Sequence, residues 1–140
     1  MGVPLYPRRA TAGSAGFDLM AVLTESVTLG VGERLLVPTG IFLRMPPHMV
    51  ADVRPRSGLA LKQGLTVLNS PGTIDSDYRG EVGVILINHG QAPTTITPAM
   101  RIAQLVFLSL PTVDLVEVVD IADQDGPNSR GTGGFGSTAI

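Results

Sequence analysis

Apolar residues fall along this chain in short runs rather than at helical spacing. Val27-Thr28-Leu29 leads into a Gly-Val-Gly turn, Leu35-Leu36-Val37 ends at Pro38, and Ile41-Phe42-Leu43 ends before Pro46-Pro47. Val82 to Ile87 is apolar, rich in β-branched residues, and halts at Asn88-His89-Gly90; Ile102 to Leu110 and Val113 to Ile121 are the last two runs. β-Branched residues suit a pleated, half-buried surface, and many short runs divided by turn signals predict an all-β sandwich or barrel. One short helix is predicted near Gly58 to Gln63, where Leu59-Ala60-Leu61-Lys62 has good helix formers. With 17 glycines and 11 prolines, few windows could hold a longer one.

The pattern stops after Ile121. Between Ala122 and Ile140 only Phe135 and Ile140 are large and apolar, among Gly, Ser, Asp and Thr. Such a segment cannot bury enough surface to order itself. Residues 1–121 are therefore expected to form one β domain and 122–140 a mobile C-terminal arm. A plain disordered tail is the alternative, although a lone Phe inside a glycine cluster is unusual for one.

Composition narrows the function classes. A chain of 140 residues, 44% hydrophobic, can bury one core. Its net charge of −2 argues against an electrostatic nucleic-acid binder. The absence of cysteine removes disulfides and thiolate metal sites. No long apolar run follows Arg8 and Arg9, and none approaches the roughly 18 residues of a membrane helix, so neither a signal peptide nor a membrane span is expected. A soluble, cytoplasmic protein is expected. Lys62 is the single lysine and follows no phosphate-loop pattern. His48 and His89 are far apart and read as loop or surface residues, so a catalytic base would be a carboxylate.

Several stretches carry candidate chemistry beside blander readings. In Arg130-Gly131-Thr132-Gly133-Gly134-Phe135-Gly136-Ser137-Thr138, glycines let main-chain N–H groups converge on an anion. Arg130 can grip phosphate bidentately, Ser137 and Thr138 offer hydroxyls, and Phe135 offers a face for a base. Arg56 and Ser57 stand at the tip of a turn framed by Pro55 and Gly58; Ser57 reads equally as an N-cap and Arg56 as a surface charge. Asn69-Ser70-Pro71-Gly72-Thr73-Ile74-Asp75-Ser76-Asp77-Tyr78 looks like a hairpin whose main chain suits a pyrimidine edge. Asp75 could activate a water and Tyr78 could pack on a sugar; alternatively they are a turn residue and a core aromatic. Asp18, between apolar neighbours, needs a partner: an arginine, or a place near a metal. Gln104, inside a strand-like run, also needs one.

Together these stretches resemble the five ordered motifs of the trimeric dUTP pyrophosphatase family. They read AGFDLMA at 15–21, RPRSGLA at 54–60, NSPGTIDSDYRGEV at 69–82, RIAQLVF at 101–107 and RGTGGFGST at 130–138. The resemblance implies a jelly-roll, distorted β-barrel with one short helix, assembled as a homotrimer, with sites between subunits and the C-terminal arm closing over a neighbour's site. It implies hydrolysis of dUTP to dUMP and pyrophosphate by water attack at the α-phosphorus, which limits uracil incorporation into DNA and supplies dUMP for dTMP synthesis. By the same resemblance Asp75 is the base and bonds the 3′-hydroxyl, and Tyr78 packs under deoxyribose. Asn69 and the main chain of Gly72, Thr73, Ile74 and Gly83 read uracil. Arg56, Ser57, Gly58 and Gln104 bind the triphosphate. Arg130, Ser137 and Thr138 hold the outer phosphates, Gly136 joins the substrate-binding residues, and Phe135 stacks on uracil. Mg²⁺ rides on the phosphates, held by Asp18 through water.

The chain departs from the family pattern in places. Met20 replaces a frequent basic residue, Gly83 stands where a larger residue is common, and Ala139-Ile140 ends the arm where another glycine is usual. No role beyond shaping the hairpin or pairing with other charges attaches to Asp77 or Arg79. The runner-up enzyme is dCTP deaminase, on the same fold, but Glu25, Glu33, Glu81 and Glu117 sit in no deaminase-like motif. A non-enzymatic regulatory trimer is the remaining class.

Overall fold

The computed structural model describes residues 6–118. The predicted C-terminal arm therefore lies outside the described residues, together with Arg130, Phe135, Gly136, Ser137 and Thr138. Nine strands and one helix follow in the order β1 (Phe17–Met20), β2 (Val27–Leu29), β3 (Arg34–Phe42), β4 (Met49–Arg54), α1 (Ser57–Gln63), β5 (Leu65–Val67), β6 (Gly72–Ile74), β7 (Glu81–Asn88), β8 (Thr94–Ile96) and β9 (Arg101–Ser109). The all-β class with one short helix holds. The strands form three antiparallel sheets, β1-β9-β4-β6, β2-β8 and β3-β7-β5. Among the described residues these sheets do not close into one barrel.

Alternation drives the burial. In β7, Val82, Val84 and Leu86 are buried, while Gly83 and Ile85 face the other side. Leu19, Val37, Val53 and Leu105 meet them in one core, and each such side chain contributes about 1.5–3 kcal/mol on full burial. Buried Asn88 ties the layers: its amide donates to Leu29 C=O (3.0 Å) and Ala92 C=O (2.9 Å) and accepts from Gly90 N–H (2.8 Å).

Three local expectations change. Pro38 does not end a strand: Leu35-Leu36-Val37 and Ile41-Phe42 both belong to β3, which passes through Pro38 with a register shift between Pro38 and Phe42. Proline has no N–H to give a ladder and is tolerated at such a bulge. The run Val113 to Ile121 is not a strand as far as it is described. Residues 111–118 have no ladder partner among the described residues, and Val113, Leu115, Val116 and Val118 are exposed. Ser57 is the first helical residue rather than the N-cap, which is Arg56 and makes no side-chain cap bond. At its other end α1 stops on Gly64, left-handed at φ 67°, packed so closely on the 89–90 backbone that a Cβ would stand 2.2 Å from Gly90 N.

Candidate active site

The central position of β9 builds the first cluster. β9 pairs with β1 on one side and β4 on the other, so Gln104 is opposite both Asp18 and Arg54, and Arg56 follows just beyond the end of β4. Asp18 Oδ1 accepts from Arg56 Nε and its Oδ2 from Arg101 Nη1, both at 3.1 Å. Arg56 Nη1 also donates to Arg101 C=O (3.2 Å), and Gln104 Nε2 donates to Pro55 C=O (2.9 Å). Gln104 fits because residue 16 is glycine: a Cβ there would meet Gln104 Oε1 at 2.2 Å. The result is a cavity of about 390 Å³ lined by Asp18, Arg56, Ser57, Gly58, Lys62 and Gln104 among others. Two cations against one carboxylate, with a hydroxyl and an amide, give it the chemistry of an anion site.

A second cavity, about 280 Å³, is lined by Leu36, Thr73, Ile74, Asp75, Tyr78, Glu81, Gly83 and Ile85. The expected hairpin is not a paired one. β6 is an edge strand laddered only to β4, while β7 belongs to the other sheet. β5 covers β7 only at Leu86–Asn88, with Leu68 N–H donating to Ile85 C=O (2.8 Å). One edge of β6 and one edge of residues 81–84 thus lack a strand partner among the described residues. The cavity between them is bordered by main-chain donors and acceptors, as a heterocyclic base edge requires.

Asp75 is exposed, and among the described residues no protein donor engages its carboxylate. It also borders a further cavity of about 550 Å³ with Ser76, Asp77, Arg79 and the apolar Met45, Pro47, Met49 and Leu110. Tyr78 is no core aromatic; it is 43% exposed, and its hydroxyl donates to Glu81 C=O (3.1 Å). Arg79 shapes the turn by donating to Ser76 C=O (2.8 Å) and Tyr78 C=O (2.9 Å). Asn69 lies beside Gly72, where a Cβ would meet Asn69 Nδ2 at 3.3 Å and Val53 Cβ at 3.3 Å, but neither lines the cavity.

Within one chain the anion-suited and base-suited cavities share no lining residue. Asp18, Arg56, Ser57, Gly58 and Gln104 come together, as do Thr73, Ile74, Asp75, Tyr78 and Gly83, but the two groups do not merge. Sequence reasoning missed Arg101, Gly16, Lys62 and Leu36. Only strand register would have found Arg101, which pairs with Met20 next to Asp18. A larger cavity of about 750 Å³, between α1 and residues 89–95, contains none of the predicted residues. His48 and His89 are exposed, as expected.

A β-sheet frame carrying one anion-suited and one base-suited cavity fits a nucleotide-handling protein, and the comparisons with known proteins give the family. The dUTPase family model matches residues 5–139, and the chain belongs to that family. A deoxyuridine 5′-triphosphate nucleotidohydrolase of Anaeromyxobacter sp. (strain Fw109-5) is 55% identical over 138 residues, covering 98% of this chain and 90% of that protein. One from Rhizobium rhizogenes is 50% identical, covering 96% and 85%. Among solved structures, the dUTPase of Streptococcus mutans matches with a TM-score of 0.73 at 31% identity, covering 81% of this chain and 92% of that one. A dUTPase of a Staphylococcus bacteriophage, solved with dUpNHpp, shares the fold with a TM-score of 0.83 at 24% identity, covering 96% and 92%. A phage phi11 dUTPase that coordinates a structural Mg(II) ion shares it with a TM-score of 0.73 at 22% identity, covering 83% and 90%.

Proposed function

We propose that this chain hydrolyses dUTP to dUMP and pyrophosphate, with the base bound between the open edges of β6 and β7 and the phosphates in the Arg56–Gln104 cavity. The observation that carries the site assignment is the open edge of 73–74 facing the open edge of 81–84, each without a strand partner on that side among the described residues, which offers main-chain hydrogen bonds to a pyrimidine beside an unengaged carboxylate, Asp75. A base with the wrong donor–acceptor order leaves buried groups unpaired, which is the strong form of discrimination. Asp75 takes a proton from water as the water oxygen bonds the α-phosphorus; the bond from that phosphorus to the bridging oxygen breaks, and pyrophosphate leaves. Positioned base catalysis of this kind contributes about 10²–10⁴-fold. Arg56, Ser57, Gly58 and Gln104 neutralise and orient the phosphates. Tyr78 forms the sugar wall, Asn69 and Gly72 support the base-reading segment, and Arg130, Phe135, Gly136, Ser137 and Thr138 close over the substrate from the arm at 122–140.

The donor set fits Mg²⁺ in one manner. Among the described residues no cluster of three or more His, Asp or Glu could hold a metal by itself. Asp18, the single carboxylate of the anion cavity, can reach a metal through water, the mode expected of an ion that dehydrates reluctantly. When bound, Mg²⁺ would offset charge on the triphosphate and the leaving pyrophosphate.

Separation of the two cavities within one chain supports a shared site, completed by neighbouring subunits of a homotrimer. The exposed apolar residues of 113–118, without a partner strand among the described residues, supply surface for such an assembly. Deaminase chemistry finds less support. Glu33 is spent on Gly30 N–H (2.7 Å), Glu81 on Thr39 and Gly40, and Glu25 and Glu117 line neither cavity.

The test is pyrophosphate release with Mg²⁺ from dUTP, dCTP, dTTP and UTP. Release from dUTP alone, lost in Asp75→Asn with binding retained, is expected. Absence of release by folded protein would sink the enzymatic function, and ammonia release from dCTP would replace it with deamination.

A further inference from the structure

Glu81 opens β7 on the wall of the base-suited cavity. Its Oε1 accepts two main-chain bonds, from Thr39 N–H at 3.0 Å and Gly40 N–H at 2.7 Å. Both donors lie in the bulged part of β3, where residues 39–41 stand opposite Val82 alone and Gly40 takes φ 67°. A bulge leaves such N–H groups without ladder acceptors, and here a carboxylate supplies one. The Thr39 hydroxyl donates to Val82 C=O, fastening the bulge to β7 at the next residue.

The same residue anchors Tyr78 by its backbone. Glu81 C=O accepts from the Tyr78 hydroxyl at 3.1 Å. The ring lies over Gly80, where a Cβ would stand 2.3 Å from the hydroxyl oxygen and 2.6 Å from Cζ, and Tyr78 N–H donates to Asp75 C=O at 3.2 Å. The aromatic wall of the cavity thus hangs from a peptide whose own place is set by the Glu81 side chain.

We propose that Glu81 is a positioning residue for the nucleoside cavity: its carboxylate grips the β3 bulge and so fixes the carbonyl that orients Tyr78. This rests on reading that cavity as the deoxynucleoside site. Glu81 needs no contact with substrate, so its loss acts through Tyr78 on sugar fit rather than on the bond-breaking step. Charge-assisted bonds to two N–H groups are about twice as strong as neutral ones, yet a glutamine oxygen can still accept both.

The experiment measures kcat and KM for dUTP and UTP in wild type, Glu81→Ala, Glu81→Gln, Tyr78→Phe and the Glu81→Ala/Tyr78→Phe double variant, with circular dichroism to confirm folding. In Glu81→Ala the KM for dUTP rises about tenfold while kcat stays within about threefold, and preference for dUTP over UTP falls by a similar factor. Glu81→Gln returns both to within about threefold of wild type. Tyr78→Phe weakens the preference, and the double variant is no worse than Glu81→Ala, because both changes cut one chain of contacts. Unchanged preference in folded Glu81→Ala, or Glu81→Gln as impaired as Glu81→Ala, overturns the role. If Glu81→Ala does not fold, Tyr78→Phe decides: an unchanged preference removes the anchor and the proposal with it. A wild type that does not turn over dUTP sinks the enzymatic reading itself, whereas an active wild type with indifferent variants sinks only the role of Glu81.

Discussion

Replacing Asn88 by alanine tests the polar tie between the layers. The side chain is 0% exposed and makes three bonds, to Leu29 C=O, Ala92 C=O and Gly90 N–H, at 2.8–3.0 Å. Of these, the bond to Leu29 is buried and the other two are partly buried. A stranded buried carbonyl costs about 1–3 kcal/mol, and each partly solvated bond contributes about 0.5–1.5 kcal/mol at most, with water recovering some. The expected loss is about 3 kcal/mol. At about 2–4 °C per kcal/mol for a chain near this size, the midpoint falls by on the order of 10 °C. Urea unfolding followed by circular dichroism, at fixed protein concentration, gives the free energy and the slope m together. Asn88→Asp sharpens the test. It keeps the shape and the acceptor for Gly90 but sets a carboxylate oxygen against two carbonyls, so it should be at least as damaging as alanine. An Asn88→Asp protein as stable as wild type, or an alanine variant losing under about 0.5 kcal/mol at unchanged m, would refute the argument that donation to Leu29 and Ala92 holds the layers.

Gly64→Ala forces a side chain onto a left-handed residue and within 2.2 Å of Gly90 N, a backbone atom that cannot rotate aside. Melts of this variant should show a loss of about 2–4 kcal/mol. Asp18→Asn breaks ion pairs to partly exposed arginines, 28% and 53% accessible, so unfolding should change by less than about 1 kcal/mol. The Mg²⁺ concentration for half-maximal dUTP turnover should nevertheless rise several-fold, and an unshifted Mg²⁺ titration would remove Asp18 from the metal's surroundings. Truncation after Ile121 should leave the β domain folded by circular dichroism and raise KM for dUTP; unchanged kinetics would mean that the arm does not close the site.

Where a residue's fate depended on its immediate neighbours, the sequence was legible. Val27-Thr28-Leu29 became β2, Leu59-Ala60-Leu61-Lys62 fell inside α1, and the apolar run from Val82 became β7, alternating in burial as far as Leu86. Pro38 misled because the slip that accommodates it depends on pairing with β7, more than 40 residues away in Gly83 and Glu81. The run from Val113 misled over 113–118 for the converse reason: apolar, β-branched composition does not make a strand where no partner edge meets it among the described residues. The segment from Asn69 to Val82 had the turn residues of a hairpin, yet its strands joined different sheets, because β4 and β3 offered better partners than they offered each other. Asp18 showed in its apolar setting that it needed a partner, but Arg101 lies 83 residues away and only the β1–β9 register brings it close.

The open edges of β6 and β7 also bear on how this protein can drift under mutation. A base read by main-chain N–H and C=O groups is read by atoms that every residue type but proline supplies. Exposed Thr73 can be exchanged for other β-formers and the donor–acceptor order of its main chain stays as it was. Inheritance of base choice is thereby uncoupled from most single-codon changes in the segment. To alter it, a lineage must insert a proline or shift a strand by a residue; bulk at Gly72, outside the cavity lining, would act only indirectly, through Val53 and Asn69, each 3.3 Å from an added Cβ. Such changes disturb the sheet as well as the pocket, so at the proposed site loss of base selectivity would be coupled to loss of fold.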